Sequence, residues 1–209
     1  LKKWGLESFV YFRPRDVVSG DFYYINHFEK EGRPYVVIAA IDCTGHGVPG
    51  GFMSMIGYEL MNQIIYLNKF KNAGEVLTEL HKQLIRALRQ QHKTETFQIE
   101  DGMDMSIAIY NVDENKIQFA AARNPVYIMN ARTSELHILK ADKYSIGESR
   151  ANGFVFTNNE YQLENEDIIY MFSDGYADQF GGEHTKKYMK RNFRTFLHQN
   201  VNENMTEKR

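Results

Sequence analysis

Apolar residues in this chain fall into short runs and spaced stripes, and each spacing predicts a different element. Tyr35-Val36-Val37-Ile38-Ala39-Ala40-Ile41 is an unbroken apolar run of strand length, the mark of a strand buried on both faces. Residues 22–28 predict a strand before it, and Glu29-Lys30-Glu31-Gly32-Arg33-Pro34 reads as the hairpin loop between them. The opening Phe9-Val10-Tyr11-Phe12 is also strand-like until Arg13-Pro14-Arg15 interrupts it. Further on, Phe52, Ile56, Leu60 and Ile64 recur at helical spacing, Met53, Met61 and Ile65 widen the stripe, and Pro49 suits the first turn. Leu77, Leu80, Leu84 and Leu88 mark a second amphipathic helix, with Arg86 and Arg89 off that face.

The second half changes to short strands, predicted at residues 105–110, 116–121, 126–130, 136–138, 154–157 and 168–172. Asn111-Val112-Asp113-Glu114-Asn115 and Asn130-Ala131-Arg132-Thr133-Ser134 supply turn chemistry between them. A polar helix is expected over about 183–198. Hairpins, two long helices and then a meander describe an α+β chain with antiparallel sheets, one domain over residues 1–209. Periodicity alone does not choose between a sandwich and a single layer.

Composition narrows the function classes. The 209 residues carry a formal net charge of −2, which gives no electrostatic footprint for nucleic acid. One cysteine excludes an internal disulfide framework and points to a reducing, cytoplasmic compartment. No apolar run approaches the roughly 20 residues of a membrane helix, so no direct membrane insertion is expected. The chain opens at Leu1 rather than at methionine and is expected to be a piece of a longer protein.

The candidate chemistry lies where apolar runs end. Asp42 follows the buried run and leads into Cys43-Thr44-Gly45-His46-Gly47; Asp21 follows Ser19-Gly20; Asp174 sits in Ser173-Asp174-Gly175 after Ile168-Ile169-Tyr170-Met171-Phe172. Ionised aspartate offers only oxygen, which suits magnesium, manganese or calcium. Gathering such carboxylates without a cation raises the pKa of at least one, and a divalent ion removes that cost. Taken singly, each Asp-Gly pair is an ordinary turn; the recurrence carries the reading. His46 reads equally as a ligand or general acid and as a turn residue, Asp101 as a solvated turn, and Asp104 as a supporting group. Thr44 and Ser173 are expected to bond nearby backbone, and Lys186, Lys187, Lys190 and Arg191 to form a solvated helix face. Cys43, beside a buried strand, reads as inert packing rather than as a nucleophile.

Together, residues 15–23, 41–49 and 172–178, with Asp101-Gly102-Met103-Asp104 and Ala122-Arg123-Asn124-Pro125 between them, resemble the SpoIIE-type bacterial members of the metal-dependent (PPM, type 2C) protein phosphatases. The resemblance runs from about residue 8 to 196. It implies a sandwich of two antiparallel β-sheets flanked by α-helices, and hydrolysis of phosphoserine or phosphothreonine in a protein with two Mn²⁺ or Mg²⁺ ions. By that resemblance Asp42 bridges both metals, Cys43 offers its backbone carbonyl, Asp21 holds one ion and Asp174 the other. Arg15 or Arg13 would contact phosphate, while Asp178 matches a different motif position. The family pattern ends in a further aspartate opening a last core strand, and residues 201–209 contain neither, so one metal position is expected to be under-ligated. The resemblance also implies an output domain beneath an upstream sensor, acting on a phosphoprotein such as an anti-anti-sigma-like regulator. The alternatives are a non-catalytic interaction module that binds a signalling partner and metal-assisted hydrolysis of a small phosphoester.

Overall fold

The first hairpin closes more tightly than its sequence suggests. In the computed structural model, which describes residues 1–91, 101–181 and 185–200, strand β1 (Phe22–Lys30) and strand β2 (Arg33–Cys43) are joined by Glu31-Gly32 alone. Both turn residues have positive φ, 54° and 76°, which matches the right-handed twist of the flanking strands. The six-residue loop expected from sequence is thereby corrected: its polar residues belong to the ladder, with Glu29 opposite Pro34 and Lys30 opposite Arg33.

Five strands form the larger sheet, in the order β1-β2-β3-β4-β7, with β3 at Met103–Asn111, β4 at Lys116–Ala122 and β7 at Asn159–Gln162. Every pairing in it is antiparallel. A smaller sheet has β5 (Val126–Met129) between β6 (Leu136–Leu139) and β8 (Ile168–Tyr170). Phe180–Gly181 (β9) pairs with Lys186–Lys187 (β10) as a short separate ribbon. Val36, Tyr110, Ile117 and Phe119 of the larger sheet meet Val126 and Ile128 of the smaller one in a shared apolar layer, so the two sheets stack face to face. Leu1, Trp4 and Leu6 seal the edge of that layer.

Helix α1 (Gly47–Leu67) and helix α2 (Ala73–Gln91) cover the outer face of the larger sheet, burying Met61, Ile64, Leu77, Leu80, Leu84 and Leu88 with Met105 and Ile107. Full burial of each such side chain stabilises the fold by about 1.5–3 kcal/mol. Helix α3 (Met189–Gln199) lays Phe193 and Leu197 against Tyr127 and Met129 on the outer face of the smaller sheet. The α+β sandwich of antiparallel sheets flanked by helices is therefore what the chain adopts. None of the described helices is long and apolar enough to cross a membrane.

Three details differ from the sequence reading. The inward face of α1 is Gly50, Met53, Gly57, Met61 and Ile64, while Phe52 is 62% exposed. Glycine carries no hydrophobic signal, yet here it admits the sheet: a Cβ on Gly57 would lie 2.5 Å from the Met103 side chain. Residues 9–12 form no strand, and Val10, Tyr11 and Phe12 are exposed. Residues 154–157 are likewise irregular, because Phe154 and Phe156 pack into the core beneath α2 while the ladder to β4 is made by β7. The expected start of the last helix at 183 and the tail at 201–209 lie outside the described residues.

Candidate metal centre

Strand pairing sets two of the acidic groups side by side. Asp42, second to last in β2, lies opposite Asp104 in β3, so the two side chains share the face turned toward the smaller sheet. Asp21 immediately precedes β1, whose first residue Phe22 pairs with Ile41. Asp174 follows β8 on the loop after the smaller sheet, and its backbone N–H points at Asp42 Oδ2 from 3.5 Å, a weak contact. The hydroxyl of Ser173 donates to Asp21 Oδ2 at 2.6 Å. Asp21, Asp42 and Asp174 are thus brought to one end of the sandwich by three separate strand ends.

Their proximity shows in Asp42. Burial, then the Asp21 carboxylate, then the Asp174 carboxylate push its pKa up to about 8. Loss of hydration disfavours the charged form, and like charges add to that cost. Asp104 is also raised, chiefly by burial, against a 2.5 Å hydrogen bond from the Ser145 hydroxyl and the nearby Arg123 guanidinium.

Glycines let the supporting loops touch. A Cβ on Gly20 would lie 2.7 Å from the Gly45 carbonyl oxygen and 3.2 Å from that of Cys43. A Cβ on Gly50, in the first turn of α1, would lie 2.6 Å from the same Gly45 oxygen. Two backbone carbonyls therefore converge beside the residue preceding Asp21. Thr44 fixes the loop from the other side, its backbone N–H donating to the Gly102 carbonyl at 2.9 Å.

The donor set suits a hard divalent cation: carboxylate oxygens, backbone carbonyls and a raised Asp42 that a positive charge would return to its ionised form. Among the described residues no three His, Cys, Asp or Glu side chains close around a single point, so water and backbone would complete any coordination shell. The Cys43 thiol is buried, and burial followed by the Asp42 charge pushes its pKa far above the ordinary range, which removes it as a nucleophile.

The remaining expected residues are dispersed. His46 is exposed and pairs with Asp16 at 3.5 Å, at the edge of the loop. Arg13 and Arg15 lie on an exposed irregular segment. Asp178 turns to Lys187, whose Nζ is 2.7 Å from its Oδ2. Ser173, expected to bond nearby backbone, instead holds Asp21: the hydroxyl reaches another strand end, a partner that local turn chemistry does not foretell.

Sequence reasoning missed Ser145 and His81. His81 is fully buried on α2, with Nδ1 accepting from the Gly147 N–H at 3.0 Å and Nε2 3.0 Å from the Ala151 carbonyl. The segment it holds exchanges backbone hydrogen bonds between Ile146 and Met103 and carries Ser145 to Asp104. His81 stands within the stripe of the second helix, but only its partners, about 70 residues away, reveal the role. Asn124 was visible in its block; its amide donates to the Phe172 carbonyl just before Ser173.

The fold has relatives among solved structures. The chain matches the SiaA-PP2C domain of Pseudomonas aeruginosa at 27% identity and TM-score 0.78, covering 96% of this chain and 74% of that one. It matches the PP2C phosphatase domain with a fragment of the regulatory domain of the cell fate determinant SpoIIE from Bacillus subtilis at 20% identity and TM-score 0.64, covering 90% of this chain and 48% of that one. RsbX, solved in complex with magnesium, matches at 14% identity and TM-score 0.54, covering 88% and 80%. No curated protein matches. The sequence model described as Stage II sporulation protein E (SpoIIE) covers residues 32–208, which include Asp42, Asp104, Ser173 and Asp174. The chain belongs to the SpoIIE family of PP2C-type phosphatase domains.

Proposed function

We propose that the chain hydrolyses phosphoserine or phosphothreonine in a protein substrate, using two divalent ions, manganese or magnesium. The observation that carries this reading is the gathering of Asp21, Asp42 and Asp174 from three strand ends, where burial and then the two neighbouring carboxylates raise the Asp42 pKa to about 8. Asp21, Asp42 and Asp174 would hold the ions through their carboxylate oxygens, and Cys43 would lend its backbone carbonyl. When bound, the ions supply Lewis-acid polarisation of the phosphoryl group and of water. Ser173 keeps the Asp21 carboxylate oriented, and Ser145 does the same for Asp104. The open setting of the site, with Asp174 exposed, suits a phosphorylated side chain on a protein surface better than an enclosed small phosphoester.

As one module of a bacterial signalling protein, the domain would act in the cytoplasm on a phosphorylated anti-anti-sigma-like regulator, under control of an upstream sensor. Family membership supports this assignment. A second reading, a phosphatase-like module that binds its partner without turnover, draws on one observation: no three side-chain ligands close around a point among the described residues.

The test is manganese-dependent release of phosphate from a phosphoserine protein, with Asp42→Ala as control. Turnover that requires manganese and is lost in the variant is the expected result. Manganese binding without turnover would favour the interaction module.

A further inference from the structure

We infer that the exposed cationic stripe of α3, with Lys186 before it, is a docking surface for an acidic face of the phosphoprotein substrate. This rests on the phosphatase reading above and adds the chemistry of the partner.

The stripe is built by helical spacing. Lys190, Arg194 and His198 recur every four residues, and Arg191 lies beside them, so the four side chains occupy one side of the helix. Residues 185–200 contain no aspartate or glutamate at all. Lys186, Lys190, Arg191 and Arg194 are all exposed, and among the described residues none is paired with a carboxylate. Lys187 differs, being occupied by Asp178. A chain with a net charge of −2 has thus collected, on one short helix, positive charge that no carboxylate among the described residues pairs.

The position of α3 gives that charge a use. Phe193 packs its ring 5.0 Å from Phe172 and 5.1 Å from Tyr176, the residues on either side of the Ser173-Asp174-Gly175 turn. The Met189 N–H donates to the Ala177 carbonyl at 2.7 Å, and the Tyr188 N–H to the Gln179 carbonyl at 2.8 Å. Helix α3 is therefore packed directly beside the turn that carries Asp174, and its exposed side borders the candidate centre. The strip lies outside the candidate centre, whose carboxylates would be taken up by the ions they hold, so it offers an acidic surface attraction beyond the phosphoryl site itself. Such peripheral charges act on encounter and on salt dependence. A lipid surface fits less well, because the exposed apolar side chains of α3, Met189 and Phe196, fall by helical spacing on the opposite flank from the stripe, while Phe193 and Leu197 are buried against the smaller sheet.

The experiment compares wild type with K186E/K190E/R194E and with the neutral K186Q/K190Q/R194Q, both checked for unchanged melting. Three probes are used with manganese: phosphorylated β-casein as an acidic phosphoserine protein, a phosphoserine peptide flanked by arginines, and p-nitrophenyl phosphate. Charge reversal is expected to lower kcat/KM for casein on the order of tenfold, through KM, and to flatten its salt dependence. The neutral variant should fall between, while p-nitrophenyl phosphate is unaffected and the arginine-flanked peptide gains or holds. Unchanged casein kinetics with intact aryl phosphate turnover would overturn the docking surface alone. No turnover of any probe by wild type would remove the phosphatase reading and the docking proposal with it. Stripe-dependent pelleting with phosphatidylserine vesicles, with casein kinetics unchanged, would assign the face to lipid and overturn the proposal.

Discussion

The Ser173 hydroxyl and the Asp21 carboxylate, 152 positions apart, meet in a 2.6 Å hydrogen bond that joins the entry to the first strand with the loop after the last strand of the smaller sheet. The bond does two things. It fixes one oxygen of Asp21, and it ties the segment carrying Asp174 to the sheet carrying Asp42.

Ser173→Ala should leave the fold intact and loosen Asp21. Hydrogen bonds to charged groups contribute roughly 1.5–3 kcal/mol, and partners that orient ligands commonly alter metal affinity by about tenfold to a hundredfold. Manganese titration by calorimetry should show weaker binding at near-normal melting temperature. Unchanged affinity would mean that Asp21 is held by other contacts.

The metal-free protein should become less stable as pH rises. The folded-state pKa of Asp42, about 8, lies above the roughly 3.9 of an unfolded aspartate. Its contribution is therefore fully present below pH of about 4 and is lost as pH climbs through about 8. Melting in chelator between pH 5 and 8 should show that slope, and Asp42→Asn should flatten it. Manganese affinity should rise over the same window, because the ion competes with the proton.

Gly20→Ala should damage the centre without touching an acidic residue. The added methyl would sit 2.7 Å from a backbone oxygen that has no flexible side chain to yield. Overpacking of this kind costs about 1–3 kcal/mol. Gly181→Ala, with nothing within 4 Å among the described residues, is the control. Equal melting temperatures for the two variants would show that the loops separate easily.

His81→Ala should destabilise the segment that supports Asp104. It leaves the Gly147 N–H and the Ala151 carbonyl without their partner, and each buried polar group left unpaired costs about 1–3 kcal/mol. Burial also lowers the His81 pKa below its ordinary value. The stabilisation is therefore complete above the unfolded pKa of about 6.5 and is lost as pH falls from there toward the folded value. Acid melts should show a slope in wild type that His81→Ala lacks.

The legible parts of the fold were those set by side-chain periodicity. Leu77, Leu80, Leu84 and Leu88 marked α2, and the run ending at Ile41 marked a central strand, because burial there needs only apolar atoms at the right spacing. The inner face of α1 was legible at Met53, Met61, Ile64 and Ile65, while Phe52 turned outward and Gly50 and Gly57, which achieve contact by having no side chain, carried no hydrophobic signal. Phe154 and Phe156 looked like a strand because core packing and ladder formation draw on the same residues. The aspartates were legible as strand-edge groups. Their supports, Ser145 and His81, were not, since each acts through a partner fixed only by the tertiary structure. Arg15 illustrates the limit of motif spacing: its residue type suits phosphate, but it lies on an exposed irregular segment.

The two-residue turn at Glu31-Gly32 has a consequence for the order of events on the ribosome. A hairpin closed so tightly can zip as soon as it emerges, bringing Phe22 and Ile41 into register and drawing Asp21 close to Asp42. The N–H that meets Asp42 belongs to a residue made 132 positions later. Throughout that interval the growing chain carries two neighbouring carboxylates without the third strand end, and a chain released before Ser173 would keep the hairpin yet never assemble the centre.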